Sequence, residues 1–268
     1  MARRLLGRTS VRDALDSAVI ALEASGCDSP RLDAELLLAH VLGTTRSGVY
    51  AELDREVDDS LETLLVRREQ REPLAYVLGE WGFRRLILKT DARALVPRPE
   101  TEIVVDRALA LLDGLRSPRV LDIGVGSGAI ALALKDERPD ATIVGVDVSQ
   151  DALALAAENA ERLGLDVELH TGGLETAAAG WDLIVSNPPY VDTLDGLQPE
   201  LHHEPVQALV GAGFHERIAE VARTRFLVLE VGDGQADAVA GALSAAGYDA
   251  VTITADLAGV SRVVDGSR

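Results

Sequence analysis

Residues 120–128 limit the possible folds of this chain more than any other segment does. A short apolar run there leads into three closely spaced glycines. Residues 120–123 are typical of a buried strand, and the glycines at 124, 126 and 128 predict a tight turn that opens a helix. Beyond Pro97 the same order of strand, turn and helix repeats. We therefore predict a doubly wound α/β sheet, because strands that alternate with helices form parallel sheets covered on both faces.

The predicted elements follow from apolar runs and helical spacing. The predicted strands are Arg119–Ile123, Ala141–Val146, Val167–His170, Leu183–Ser186 and Phe226–Val231. The predicted helices are Gly128–Asp136, Gln150–Leu163 and Gln235–Ala246.

Residues 1–80 have a different pattern, with apolar residues at helical spacing and no glycine-rich turn. Ser10 is a candidate N-cap of a first helix, which Gly26 ends, and a second helix runs from Pro30 to Gly43. A third candidate passes through residues 61–68. We predict a small helical substrate-recognition domain at 1–80, a linker or β-hairpin at 81–96 and the α/β domain at 97–268. Plain packing remains the alternative role for the helices.

The charge of the chain bears on its partners. It has 268 residues, with 26 Lys+Arg and 44 Asp+Glu, which gives a net charge of −18. Such a field repels phosphate backbones, so direct nucleic-acid binding is not expected and a basic partner is favoured. Cys27 is the one cysteine, and no run is long and apolar enough to span a membrane. We expect a soluble, cytoplasmic protein.

The glycine turn is a candidate ligand site. Gly124, Val125, Gly126, Ser127 and Gly128 would let a ligand lie against the backbone, and the N–H groups at the helix start favour an anionic group. Nineteen residues further on, Asp147 ends the next predicted strand, where a carboxylate can bind both hydroxyls of a ribose. The alternative role of Asp147 is to cap the helix near Gln150. NAD and adenosylmethionine both fit this pattern.

A second turn follows the fourth predicted strand, where Asn187-Pro188-Pro189-Tyr190 stands at the edge at which α/β sheets hold their ligands. Prolines have no N–H, so this turn presents carbonyl oxygens without competing donors. A planar –NH₂ group needs two acceptors, which the Asn187 side chain and the Pro188 carbonyl can supply while Tyr190 stacks on it. Fixing such a nitrogen helps direct it at an electrophile such as a sulfonium methyl group. The alternative is a structural proline turn.

With these residues the chain resembles the protein-(glutamine-N5) methyltransferases, in particular those that methylate peptide-chain release factors. The resemblance covers nearly the whole length. Beyond the two turns, it is carried by Arg71-Glu72-Pro73, residues 97–102, Glu204-Pro205, Glu230 with Gly232, and Asp256 with Arg262. The family fold is a seven-stranded, mostly parallel, Rossmann-like adenosylmethionine-dependent methyltransferase domain behind a small all-α domain.

The resemblance also implies roles for single residues. Residues 124–128 would contact the methionine part of adenosylmethionine, Asp147 its ribose, and Asn187 both cofactor and substrate. Pro188, Pro189 and Tyr190 would bind the substrate glutamine, with Asn187, Pro188 and Tyr190 as the catalytic set. Leu174 would lie near the adenine, although Gly173 stands where the family has an acidic residue. No metal is expected.

Three alternatives stay open on the sequence. A glutamine methyltransferase of a ribosomal protein would share every motif above. A nucleic-acid methyltransferase acting on a base amino group would fit the same Asn187 turn, yet the charge of −18 disfavours it. A sensor that binds adenosylmethionine without chemistry has no use for a pair of nitrogen acceptors.

Overall fold

The computed structural model describes residues 9–268. The chain divides into two compact units. One runs as far as Gly79 and also includes Gln198–His203, and the other consists of Glu80–Leu197 and Glu204–Arg268.

The first unit is helical, as predicted. Ser10 caps the first helix, since its side chain accepts a hydrogen bond from the Asp13 N–H, and Gly43 ends the second helix in the left-handed conformation. Its elements are β1 (Thr9–Ser10), α1 (Val11–Ala24), α2 (Pro30–Leu42), α3 (Arg46–Val49), β2 (Glu56–Val57), α4 (Ser60–Glu69) and α5 (Leu74–Leu78). The apolar faces of α1, α2 and α4 form one buried core.

Residues 198–203 are held in this helical unit by ion pairs. The buried Arg68 guanidinium donates to Asp33 and, at 2.8 Å, to Glu200 Oε1. Arg71 donates to both oxygens of Glu200 at 2.7 Å. Because both arginines share one carboxylate, the 3₁₀ turn Pro199–His203 is fixed to α4 and the loop after it.

The second unit is the doubly wound α/β sheet that the sequence predicts. It begins with a hairpin and continues into seven strands with helices on both faces. In chain order its elements are β3 (Glu80–Phe83), β4 (Leu86–Lys89), α6 (Glu102–Leu111), β5 (Arg119–Ile123), α7 (Ala129–Glu137), β6 (Thr142–Asp147), α8 (Gln150–Leu163), β7 (Glu168–Thr171), β8 (Trp181–Ser186), α9 (Val206–Leu209), α10 (Phe214–Val221), β9 (Thr224–Glu230), α11 (Ala236–Ala245), β10 (Ala250–Ala255) and β11 (Ser261–Ser267).

The strand order is β10-β11-β9-β8-β5-β6-β7. Strands β5 to β9 are parallel to their neighbours among themselves, whereas β11 pairs antiparallel with both β9 and β10. Helices α6, α7 and α8 pack on one face, and α10 and α11 pack on the other. The apolar pattern did not predict β10 and β11, and only the family resemblance implied a sheet of seven strands.

Strands β5 and β8 place the two predicted turns side by side. They are parallel neighbours, and Ile123 at the end of β5 pairs with Ser186 at the end of β8. The Ser186 hydroxyl also donates to the Ile123 carbonyl at 2.7 Å. The turns that begin at Gly124 and Asn187 therefore start level with each other at the carboxyl edge of the sheet. In residues 9–268, no helix is long and apolar enough to cross a membrane.

Candidate active site

A cavity of about 190 Å³ opens at this edge, where one water needs only about 10–15 Å³. It brings together most of the residues that the sequence analysis singled out. Those that line it are Gly124, Val125, Gly126, Ser127, Asp147, Leu174, Asn187, Pro188 and Pro189. Gly128 and Tyr190 do not line it.

The glycine turn depends on its glycines, because Gly124, Gly126 and Gly128 all have positive φ. Four of its N–H groups are used within the protein: those of Gly124 and Val125 donate to the Val146 carbonyl, that of Gly128 donates to the Val125 carbonyl, and that of Gly126 donates to Asp147. An anionic ligand group would therefore meet the start of α7, where Ala129 and Ile130 line the cavity. The turn provides close approach, and the helix start provides the donors.

Asp147 stands at the end of β6 on the cavity wall. Its Oδ2 accepts the Gly126 N–H at 3.0 Å, and its Oδ1 accepts the Ser149 N–H at 2.9 Å. The α8 cap is Ser149, whose hydroxyl accepts the Ala152 N–H. Since each carboxylate oxygen keeps a further lone pair, Asp147 is held in place and can still accept hydrogen bonds from two neighbouring hydroxyls.

Asp122 lies behind the glycine turn, in the middle of the apolar β5. Its Oδ2 accepts the Ala131 N–H of α7 at 3.1 Å, and its buried Oδ1 has no hydrogen-bond partner in the part of the chain that the structure describes. Burial, with a further contribution from the negative charge of Asp147, raises the pKa of Asp122 to about 7. This carboxyl ties β5 to the first turn of α7.

Asn187 follows β8, and the last four residues of that strand are fully buried. Its side-chain Nδ2 donates to the Thr101 hydroxyl oxygen at 3.3 Å. A planar amide that directs its nitrogen at Thr101 turns its oxygen the opposite way. The Asn187 oxygen is thus positioned as an acceptor on the side away from Thr101.

Tyr190 has a different environment from the one the sequence predicts for a residue that stacks on substrate. Its ring stacks on His215 at 6.4 Å, and burial raises its pKa to about 12. A side chain at Gly232 would press on this ring, since an added Cβ would lie 3.0 Å from it. Gln235 donates to the Tyr190 carbonyl at 3.0 Å. Tyr190 thus anchors the end of the turn.

The segment 93–98 forms another wall of the cavity. The Glu204 carboxylate holds it, accepting from the Val96 N–H at 2.9 Å and from the Arg98 guanidinium. Burial raises the pKa of Glu204, and the positive charge of Arg98 opposes that rise. Arg98 therefore supports the cavity wall.

Two buried side chains beside Asn187 were not predicted as site residues. They are Thr101, in the 3₁₀ turn Pro99–Thr101, and Glu230, the last residue of β9. Glu230 does have a signal in the sequence, since it is an acidic residue at the end of an apolar strand, and Asp122 has a similar one. Thr101 has no such signal, because its contact with Asn187 joins distant parts of the chain.

The residues present fit adenosylmethionine. The fixed Asp147 carboxylate suits a ribose, the start of α7 suits a carboxylate, and Leu174 and Val148 give apolar wall for a flat base. A Rossmann-like sheet with this cavity defines an adenosylmethionine-dependent methyltransferase. Residues 13–79 match the PrmC N-terminal domain, and residues 102–213 match the methyltransferase small domain.

Similar proteins narrow the class to a family. A release factor glutamine methyltransferase of Caulobacter vibrioides is 39% identical over 91% of this chain and 92% of its own. One of Deinococcus radiodurans is 40% identical over 96% and 98%. The chain belongs to the release factor glutamine methyltransferase family. A 16S rRNA methyltransferase of T. thermophilus, solved with AdoMet and guanosine, shares the fold with 20% identity and a TM-score of 0.51, covering 70% of this chain and 49% of that one.

Proposed function

We propose that this protein transfers a methyl group from adenosylmethionine to the side-chain nitrogen, N5, of the glutamine in the Gly-Gly-Gln motif of peptide-chain release factors. The observation that carries the proposal is the pair of acceptors at the cavity edge. Asn187 and Pro188 both line the cavity that begins at the glycine turn, so an amide held by them would face the cofactor site.

The two acceptors would act on the orientation of the amide. The lone pair of an amide nitrogen is delocalised, so the nitrogen is a poor nucleophile until both N–H bonds are fixed. The Asn187 Oδ1 would accept one N–H and the Pro188 carbonyl the other, while the Tyr190 carbonyl is already bonded to Gln235. When bound, adenosylmethionine would supply the methyl group: the C–N bond would form as the C–S bond breaks, S-adenosylhomocysteine would leave, and the proton from the nitrogen would pass to solvent.

On the cofactor side, we assign the ribose to Asp147, the methionine part to residues 124–128 with the start of α7, and the adenine region to Leu174. Ser149 caps α8 on its own, which leaves the Asp147 oxygens available to a ligand. Leu174 begins a 3₁₀ turn beside Gly173 and lines the cavity. Tyr190 would act mainly by anchoring the Asn187 turn.

The helical unit is the proposed recognition element for the release factor, with domain limits at 1–80, 81–96 and 97–268. The net charge of −18 favours a basic protein partner and disfavours direct binding of nucleic acid. A methyltransferase acting on translation factors would work in the cytoplasm.

The test is to incubate the purified protein with labelled adenosylmethionine and, separately, with release factors, a ribosomal protein fraction and RNA. The matched control is a release factor with alanine in place of the motif glutamine. Label on the unaltered release factor and none on the control supports the proposal. Label on ribosomal protein or RNA instead of release factor would replace it with one of the alternatives.

A further inference from the structure

The least explained polar group near the site is the carboxyl of Glu230. It ends β9, is 2% exposed, and its Oε2 has no hydrogen-bond partner within residues 9–268. Burying a carboxyl oxygen without a hydrogen-bond partner costs free energy, so its presence beside the site calls for a functional explanation. Its side-chain neighbours include Thr101 and Asn187, and hydrogen-bonding interactions with both of them lower its pKa.

Thr101 links Glu230 to Asn187. Its side chain is buried, and its oxygen accepts the Asn187 Nδ2–H at 3.3 Å. A hydroxyl that accepts from one neighbour has its own O–H left to donate to another, and the Glu230 carboxylate is an acceptor. The Asn187 nitrogen is therefore connected to Glu230 through Thr101, and Asn187 also interacts with Glu230 directly.

We propose that Glu230 is a positioning residue, which acts through Thr101 to hold the Asn187 side-chain amide with its oxygen toward the substrate. This rests on the proposed role of Asn187 as an acceptor for the substrate amide. An acceptor at the end of the chain keeps the Thr101 O–H directed away from Asn187, so Asn187 meets Thr101 with its nitrogen. A protonated carboxyl or a glutamine amide at this position can instead donate to the Thr101 oxygen. The Thr101 hydroxyl is then free to donate to the Asn187 oxygen and compete with the substrate.

The proposed role requires the ionised form of Glu230, because only a carboxylate accepts hydrogen bonds without donating any. Burial, with a contribution from Glu100, raises the pKa of Glu230 to about 7, while Thr101, Arg262 and Asn187 oppose the rise. Other ionisable groups near this region are Arg98, Tyr190 and His215, whose Nε2 lies 2.7 Å from the Glu230 carbonyl oxygen. Burial lowers the pKa of His215 below its ordinary value, and that of Tyr190 is about 12. Methylation should therefore increase as pH rises through about 7.

The experiment compares isosteric variants in single-turnover methylation of a release factor at saturating cofactor. Thr101→Val and Glu230→Gln should each slow the reaction about tenfold or more, since misplacement by 1 Å can cost about 100-fold. Thr101→Ser keeps the hydroxyl and should stay within about threefold of the wild type. Equal rates for Thr101→Val and Thr101→Ser would overturn the proposal.

A double-mutant cycle separates positioning from general damage to the fold. If Glu230 acts through Asn187, then Glu230→Gln should have almost no further effect in an Asn187→Ala background. Full additivity would contradict the proposal, because a structural effect does not depend on Asn187. If Asn187→Ala itself methylates at the wild-type rate, the proposed function of Asn187 fails first. A slow Asn187→Ala with a fast Glu230→Gln rejects only the present inference.

The pH profile gives a third readout. Asp122 also has a pKa of about 7, so Asp122→Asn is the matched control. Glu230→Gln should remove the rise in single-turnover rate between about pH 6 and pH 8, whereas Asp122→Asn should keep it. A rise that persists in Glu230→Gln and disappears in Asp122→Asn would assign the titration to the glycine-turn side and contradict the proposal.

Discussion

The turns after β5 and β8 start level with each other on neighbouring strands, yet they are built in opposite ways. The first contains three glycines with positive φ, and the helix that follows offers backbone donors. The second contains two prolines, which have no N–H, and an asparagine whose nitrogen is bonded to Thr101. The carboxyl edge of the sheet thus presents hydrogen-bond donors after β5 and hydrogen-bond acceptors after the neighbouring strand β8. We propose that the donor side binds the cofactor and that the acceptor side binds the substrate amide.

The largest effect should come from the acceptor turn. Asn187→Ala should slow the chemical step by a factor on the order of a hundred to a thousand, the range for deletion of one preorganised polar partner, while cofactor affinity changes little. Single-turnover methylation at saturating cofactor measures the step, and calorimetry measures the affinity. Wild-type rates would leave the turn with a structural role only.

Asn187→Asp tests in a second way whether the two turns have separate roles. It keeps an acceptor and the size of the side chain, but an ionised carboxylate cannot donate to Thr101 as the amide does. We expect lower turnover without a matching loss of cofactor affinity. An equal loss of turnover and of cofactor affinity would show that the two turns do not have separate roles.

Binding of the cofactor should stabilise the folded protein. Adenosylmethionine at about a hundred times its dissociation constant should add roughly 2.7 kcal/mol to the free energy of unfolding, and NAD should add nothing. Thermal unfolding with each ligand measures this. Stabilisation by NAD and not by adenosylmethionine would show that the glycine turn binds a dinucleotide.

On the donor side, Asp147→Ala should weaken cofactor binding by about tenfold or more, because hydrogen bonds to a charged group contribute about 1.5–3 kcal/mol. The rate at saturating cofactor should change much less, since ribose contacts are the same before and during methyl transfer. Ser149→Ala is the control for capping, and it should cost about 1 kcal/mol of stability. If it weakens cofactor binding as much as Asp147→Ala does, then Asp147 only supports the start of α8.

The smallest effect concerns the acid behind the glycine turn. The pKa of Asp122 is about 7 in the folded protein, against about 3.9 for an unfolded chain, so the folded state holds this proton more tightly. Its contribution to stability is full below about pH 3.9 and is lost as pH rises through about 7. Urea unfolding of wild type and Asp122→Asn at pH 5 and pH 8 should show a pH dependence about 1.4 kcal/mol or more larger in the wild type. An equal pH dependence of stability in the two proteins would show that Asp122 is not the group that titrates.

The sequence predicts elements best where burial alone decides them. The predicted limits of β5 and α8 agree with the structure, because an apolar run and a capped helical pattern mark their ends. Strands β10 and β11 were missed, since β10 is largely exposed and β11 contains Asp265, which is buried only because Arg107 pairs with it at 2.8 Å. The contact of Asn187 with Thr101 was missed for the same reason: its partner comes from a distant segment and leaves no local pattern.

The most direct test of the division between the turns is the coupling between Asn187 and the glutamine it is proposed to hold. Calorimetry in the presence of S-adenosylhomocysteine would compare a release factor carrying Gly-Gly-Gln with one carrying Gly-Gly-Glu, on wild type and on Asn187→Ala. We expect wild type to bind the glutamate form about tenfold more weakly than the glutamine form. Asn187→Ala should remove most of that preference, which corresponds to a coupling of about 1 kcal/mol or more. The same preference in both proteins would contradict it.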